Sequence, residues 1–230
     1  MPETGPFFNE ILHNEVNKDW LIISFIMIAL SYVGVKLVFG RYWKRYRQAV
    51  FYSQEAKKLI HEKNVLLLQA SVSLNILAAL SMGLFFDLLI KDFNLIESFH
   101  GGFGAWMLFS LIMILYVGAR YLLINILGRA ADNINVALLI NHQWLINFKN
   151  FGFFLLPFSF SSAFIISPFD RIALFLGLGV VVFMLVMNYL KAFYILYQHR
   201  ISIYYGILYL CTLEILPFLI FWRVIRLLKI

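Results

Sequence analysis

Apolar residues run through this chain in long blocks broken by short polar clusters, and the block length is the first informative quantity. A helix rises about 1.5 Å per residue, so crossing a hydrocarbon core of roughly 30 Å takes ~20 mostly apolar residues. Six blocks qualify as candidates: Trp20 to Phe39, Val65 to Ile90, Phe103 to Leu127, Leu145 to Ile166, Arg171 to Leu196 and Ser202 to Trp222. The pattern predicts an all-helical integral membrane bundle of about six transmembrane helices. The fourth block is the weakest, because its purely apolar part begins near Phe151 and holds Pro157, which removes a backbone donor. A re-entrant fourth segment between five full spans is therefore the alternative. Residues 128 to 147 mix aliphatic and amide side chains and read as an interfacial connection. Ser167, Pro168, Phe169 and Asp170 form a turn signal.

Composition supports this pattern. The 230 residues are 62% hydrophobic and 13% charged, against about 45–50% and 25% in soluble domains. No repeat, linker or low-complexity tract divides the chain, which is read as one polytopic domain over 1–230. Net charge is +7, and eight of the nineteen Lys and Arg residues fall between Lys36 and Lys63. Cytoplasmic loops retain basic residues, so residues 40 to 64 are expected inside and residues 1 to 19, rich in Glu and Asp, outside. That acidic start is the opposite of a cleavable signal, so the first span is expected to be retained. Arg41, Lys44, Arg45 and Arg47, interleaved with Tyr and Trp, suit contact with anionic lipid headgroups rather than nucleic acid.

Three groups of polar residues inside the spans are candidates for chemistry. Glu214 lies midway along the sixth span, three residues before Pro217, and a charge there costs on the order of 2.5–3.5 kcal/mol unless paired, protonated or wetted. Arg120 is its candidate partner, with snorkelling to the interface as the alternative. Asn188 and Lys191 in the fifth span would face the same interior. In the second span Ser71, Asn75, Ala79, Gly83 and Asp87 recur at every fourth position, a small-and-polar stripe suited to close helix packing, to a polar pathway or to a protein partner.

The five histidines show no three- or four-residue spacing, leaving only a cytoplasmic surface cluster of His61, His142 and His199 as a remote metal reading. Cys211 is the single cysteine, which excludes an intrachain disulfide. No nucleotide loop, nucleophile elbow or zinc-protease pattern occurs, so no catalytic residue, metal or cofactor is expected.

The run Leu208, Tyr209, Leu210, Cys211, Thr212, Leu213, Glu214, Ile215, Leu216 and Pro217 resembles an uncharacterised family of bacterial multi-spanning membrane proteins, a domain of unknown function of Bacteroidota-type genomes; Arg120 with Tyr121 is a weaker echo. The resemblance spans most of the chain beyond the first span. It implies an inner-membrane location and singles out Glu214 and Pro217. The leading expectation is a non-enzymatic subunit or scaffold of a membrane complex serving envelope biogenesis or secretion, with a membrane partner or self-association. A small proton- or ion-coupled transporter using Glu214 comes second, and an enzyme acting on lipid head groups through His142 or His199 third.

Overall fold

A computed structural model describes residues 19–40, 65–93, 102–130, 134–165 and 169–198. These form five helices: α1 (Asp19–Gly40), α2 (Val65–Asp92), α3 (Phe103–Ala130), α4 (Ile134–Phe164) and α5 (Phe169–Gln198). Among the described residues there is no strand. The chain is an all-helical, polytopic membrane protein. Helices α1, α2, α3 and α5 are long and apolar enough to cross a membrane; α4, with its amides and Lys149, is not by composition. The expected sixth span lies outside the described residues.

The helices alternate in direction. At one end Trp20 meets Trp106, Phe25 meets Phe160 and Phe164, and Phe93 meets Phe175. At the other, the end of α3 lies against the start of α4, where Gly128 abuts Ala137 and Ile134. The described carboxylates, Asp19, Asp87, Asp92 and Asp170, all fall toward the first end, which we call the acidic end. Lys36, Arg120, Arg129 and Lys191 fall toward the second, the basic end.

Residues 128 to 130 close α3, and residues 134 to 147 do not form the expected interfacial connection. From Ile134 onward they are the first half of α4, a 31-residue helix that continues through Pro157 from the basic end to the acidic end. The amide-rich stretch looked interfacial because interfaces are where such residues cost least. Here its side chains are instead covered by neighbouring helices: Asn141, Gln143, Asn147, Lys149 and Asn150 are all buried. Helix α4 packs on α2, α3 and α5, and its Phe153 and Phe160 reach α1. No residue from Leu139 to Leu156 is exposed, so the middle of α4 is the axis of the bundle.

Close approach at two glycines sets the spacing. A Cβ on Gly152 would lie 2.8 Å from the Ala78 Cβ, and one on Gly83 would lie 2.8 Å from the Ser110 backbone nitrogen. Neither site has room for a side chain, so α2 presses directly against α4 and α3. Trp106 Nε1 donates to the Leu80 carbonyl at 3.0 Å, pinning α3 to α2. The outward faces of α1, α3 and α5 carry exposed Leu, Ile, Val and Phe, the surface that lipid solvates.

Candidate functional site

Helix α4 directs polar groups toward three neighbours, because successive residues turn by about 100° around its axis. Gln143, Asn147 and Asn150 lie on one face, where Asn147 Nδ2 donates to Asn188 Oδ1 of α5 at 2.8 Å. Asn150 Nδ2 returns to the Ile146 carbonyl at 2.7 Å. A second face carries Trp144 and Phe148, stacked at 5.2 Å. There the guanidinium carbon of Arg120, from α3, sits 4.3 Å from the centre of the Trp144 ring, with Tyr116 packed edge-on against the same indole. A cation held over an aromatic face in this way is worth ~2 kcal/mol when desolvated.

The third face carries His142 and Lys149 toward α2. Lys149 is the midpoint of α4 and only 4% exposed, and its Nζ donates to Ser71 Oγ at 2.6 Å. Gly152 is level with Ala78, the middle of α2, so the Lys149 backbone lies about 4.5 Å from that level and Ser71 about 10 Å from it. The lysine stem therefore bends toward the basic end, the direction in which helical side chains of α4 already lean. His142 lies two turns from Lys149 on the same face of α4.

Several buried polar atoms here lack a hydrogen-bond partner among the described residues: Asn75 Oδ1, His142 Nε2, Gln143 Nε2 and Asn147 Oδ1. Leaving such a group unmet in an apolar surround costs about 1–3 kcal/mol each. These four lie in the basic half of the bundle, and both carboxylate oxygens of Asp87, toward the acidic end, are likewise without a partner among the described residues.

The residues singled out from sequence fall as follows. Arg120 is 2% exposed and lies over Trp144 inside the bundle, which is not the interfacial snorkelling position. Asn188 is buried against Asn147, and Lys191, one turn on, is half-buried. Every-fourth spacing on α2 drifts by about 40° per step, so the stripe winds around the helix rather than staying on one face. Ser71 consequently faces Lys149 of α4, whereas Gly83 faces Ser110 of α3. Ala79 is fully buried, and Asn75 is half-buried. Asp87 is 1% exposed, and neither of its carboxylate oxygens has a hydrogen-bond partner among the described residues. Glu214, Pro217, Arg41, Lys44, Arg45 and Arg47, like His61, His199 and Cys211, lie outside the described residues.

Lys149 and the amides Asn141, Gln143, Asn147 and Asn150 were missed. The signal existed: Asn147, Lys149 and Asn150 fall within a block otherwise long enough to span. Among the described residues no group of three or more His, Cys, Asp or Glu could hold a metal ion.

No curated protein and no solved structure matches the chain. A family profile does match, over residues 21–225, and nearly the whole helical bundle with its polar core falls inside that match; the chain belongs to the family described as Domain of unknown function (DUF4271).

Proposed function

We propose that this protein moves protons or a small charged solute across the cytoplasmic membrane, through the polar core built around α4. One observation carries the reading: the axis of the bundle holds a buried lysine at its midpoint and buried amides on both sides of it, where apolar side chains would pack at no desolvation cost. Ionisable residues within membrane bundles are expensive, and such residues ordinarily mark ion or substrate pathways. Carriers commonly place them on central helices and open the core alternately to the two sides.

Lys149 and Arg120 are the core cations in this reading, with the Asn147–Asn188 pair linking α4 to α5. Glu214, expected midway along a sixth span, supplies the carboxylate. The basic end faces the cytoplasm, with the amino terminus outside, following the bias of basic residues. A scaffold role drew on the small-residue stripe of α2. Ala79, Gly83 and Asp87 of that stripe are buried inside the bundle, which leaves them unavailable to a partner.

The test is reconstitution into liposomes with an entrapped pH indicator and an imposed potential. Wild type should carry a proton or ion flux above that of empty vesicles, and Lys149→Met, if it folds, should lose at least about tenfold of it. Glu214→Gln should lose flux while keeping its melting temperature. Wild-type vesicles no leakier than empty ones under pH, sodium and potassium gradients would reject the reading.

A further inference from the structure

Four carboxylates are described, and three of them stand at the rim of the acidic end. Asp19 is exposed, Asp92 lies 3.8 Å from the Arg171 guanidinium, and Asp170 accepts the backbone N–H of Arg171 at 2.7 Å. Asp87 differs from all three. It is five residues short of the end of α2, about 7.5 Å further in, and 1% exposed. Leu84, Phe85, Leu88 and Ile90 beside it on the helix are buried and apolar, and neither of its oxygens meets a hydrogen-bond donor among the described residues. The helices around α2 bring it no cation in this zone. Helix α3 has no ionisable residue from Phe103 to Leu115, and α4 has none from Asn150 to Phe164. Helices α1 and α5 bring Asp19, Asp170 and Arg171 to this end, and both Arg171 and Lys91, the latter one turn along α2 itself, are exposed. Tyr32 of α1 is the remaining titratable group, and its hydroxyl lies 3.5 Å from Ser81 Oγ, six residues deeper along α2.

A carboxylate enclosed by apolar groups with neither donor nor cation costs several kcal/mol, and a proton removes that cost. A proton adds to an oxygen already present, so it needs no cavity. Register supplies the way back to the charged form. Gly83 abuts Ser110, and α2 and α3 run in opposite directions, so Asp87, one turn on, is level with Trp106 and the first turn of α3. The N–H groups that open a helix lack partners inside it and carry the positive end of its dipole, which favours a nearby anion. We propose that Asp87 is a proton-binding site, exchanging its proton with water at the acidic face. A hydronium proton becomes the carboxyl O–H and leaves water behind; release reverses the step, with the start of α3 stabilising the carboxylate. The role of this site rests on the translocation reading, for which Asp87 is the proton acceptor on the acidic side of the buried cations. Its existence does not.

The test is infrared spectroscopy of the full chain in liposomes, wild type minus Asp87→Asn, with the aspartate carboxyls isotope-labelled to set them apart from glutamate. Asparagine has the shape of the neutral acid, so the variant should fold and keep its melting temperature. At about pH 6, where an exposed aspartate is ~99% ionised, the difference spectrum should show the carbonyl stretch of a carboxylic acid. That band should shift within minutes in heavy water, and Asp87→Asn should lose at least about tenfold of the proton flux. No acid band, or one that stays unshifted in heavy water, would overturn the site. Flux unchanged in Asp87→Asn would overturn its role. An acid band in a protein that carries no flux would refute translocation and keep the site, and flux without the band would do the reverse.

Discussion

Gly83 and Gly152 test the packing residue by residue. Neither has room for a Cβ, and overpacking of this kind costs about 1–3 kcal/mol. Gly83→Val and Gly152→Val should therefore lower the melting temperature in detergent by several degrees. Gly179→Ala, on α5 with nothing within 4 Å of the added carbon, should leave it unchanged. Equal loss at all three positions would reject the contacts. The Asn147–Asn188 bond makes a second test, since hydrogen bonds between membrane helices average ~0.6 kcal/mol and reach about 1.7. Asn147→Leu and Asn188→Leu should each destabilise, and the double variant should lose less than the sum of the two, measured by unfolding in mixed micelles. By contrast, Arg171 and Asp92 form an ion pair of 3.8 Å at the acidic end, with the arginine 65% exposed. Exposed pairs contribute at most about 1 kcal/mol, so Arg171→Ala should shift stability within error of wild type.

Among the elements, α4 separates what was legible in the sequence from what was not. Helices α1, α2, α3 and α5 announce themselves because an uninterrupted apolar run of that length has one cheap environment, and their ends fall within a few residues of the expected ones. Helix α4 breaks the rule. Its first half carries Asn, Gln, His and Lys, so hydropathy assigns it to the interface, while its burial comes from neighbours that sequence pattern does not reveal. Arg120 was visible as an intramembrane charge, but its place over Trp144 depends on two helices meeting, which spacing along one chain cannot supply. The α2 stripe was legible as residues and misleading as a face, since a period of four does not match the 3.6 of the helix. Trp144→Ala should consequently disturb the bundle more than an interfacial tryptophan would. The expected loss is about 3–5 kcal/mol for a buried aromatic, against well under 1 for Trp43→Ala if that side chain sits among headgroups.

At the scale of the whole molecule, the bundle is electrically polarised: its described carboxylates gather toward one end, and the buried polar core occupies the half nearer the other. The acidic half is rich in aromatic rings, with Phe25, Phe160 and Phe164 clustered around α1 and α4, and its buried polar groups include Asp87 and the serines Ser24, Ser81, Ser110 and Ser159. A core that serves translocation must be wetted from the basic end, and a core that is only structural need not be. Thiol accessibility separates these two. With Cys211→Ser as background, single cysteines placed at His142, Asn147, Leu155 and Ser159 can be challenged by a small membrane-impermeant reagent in vesicles of each orientation. The account predicts reaction at His142→Cys and Asn147→Cys from the side of the basic end, and none at Leu155→Cys or Ser159→Cys. Uniform inertness along α4, or reaction at Asn147→Cys only from the acidic end, would contradict it.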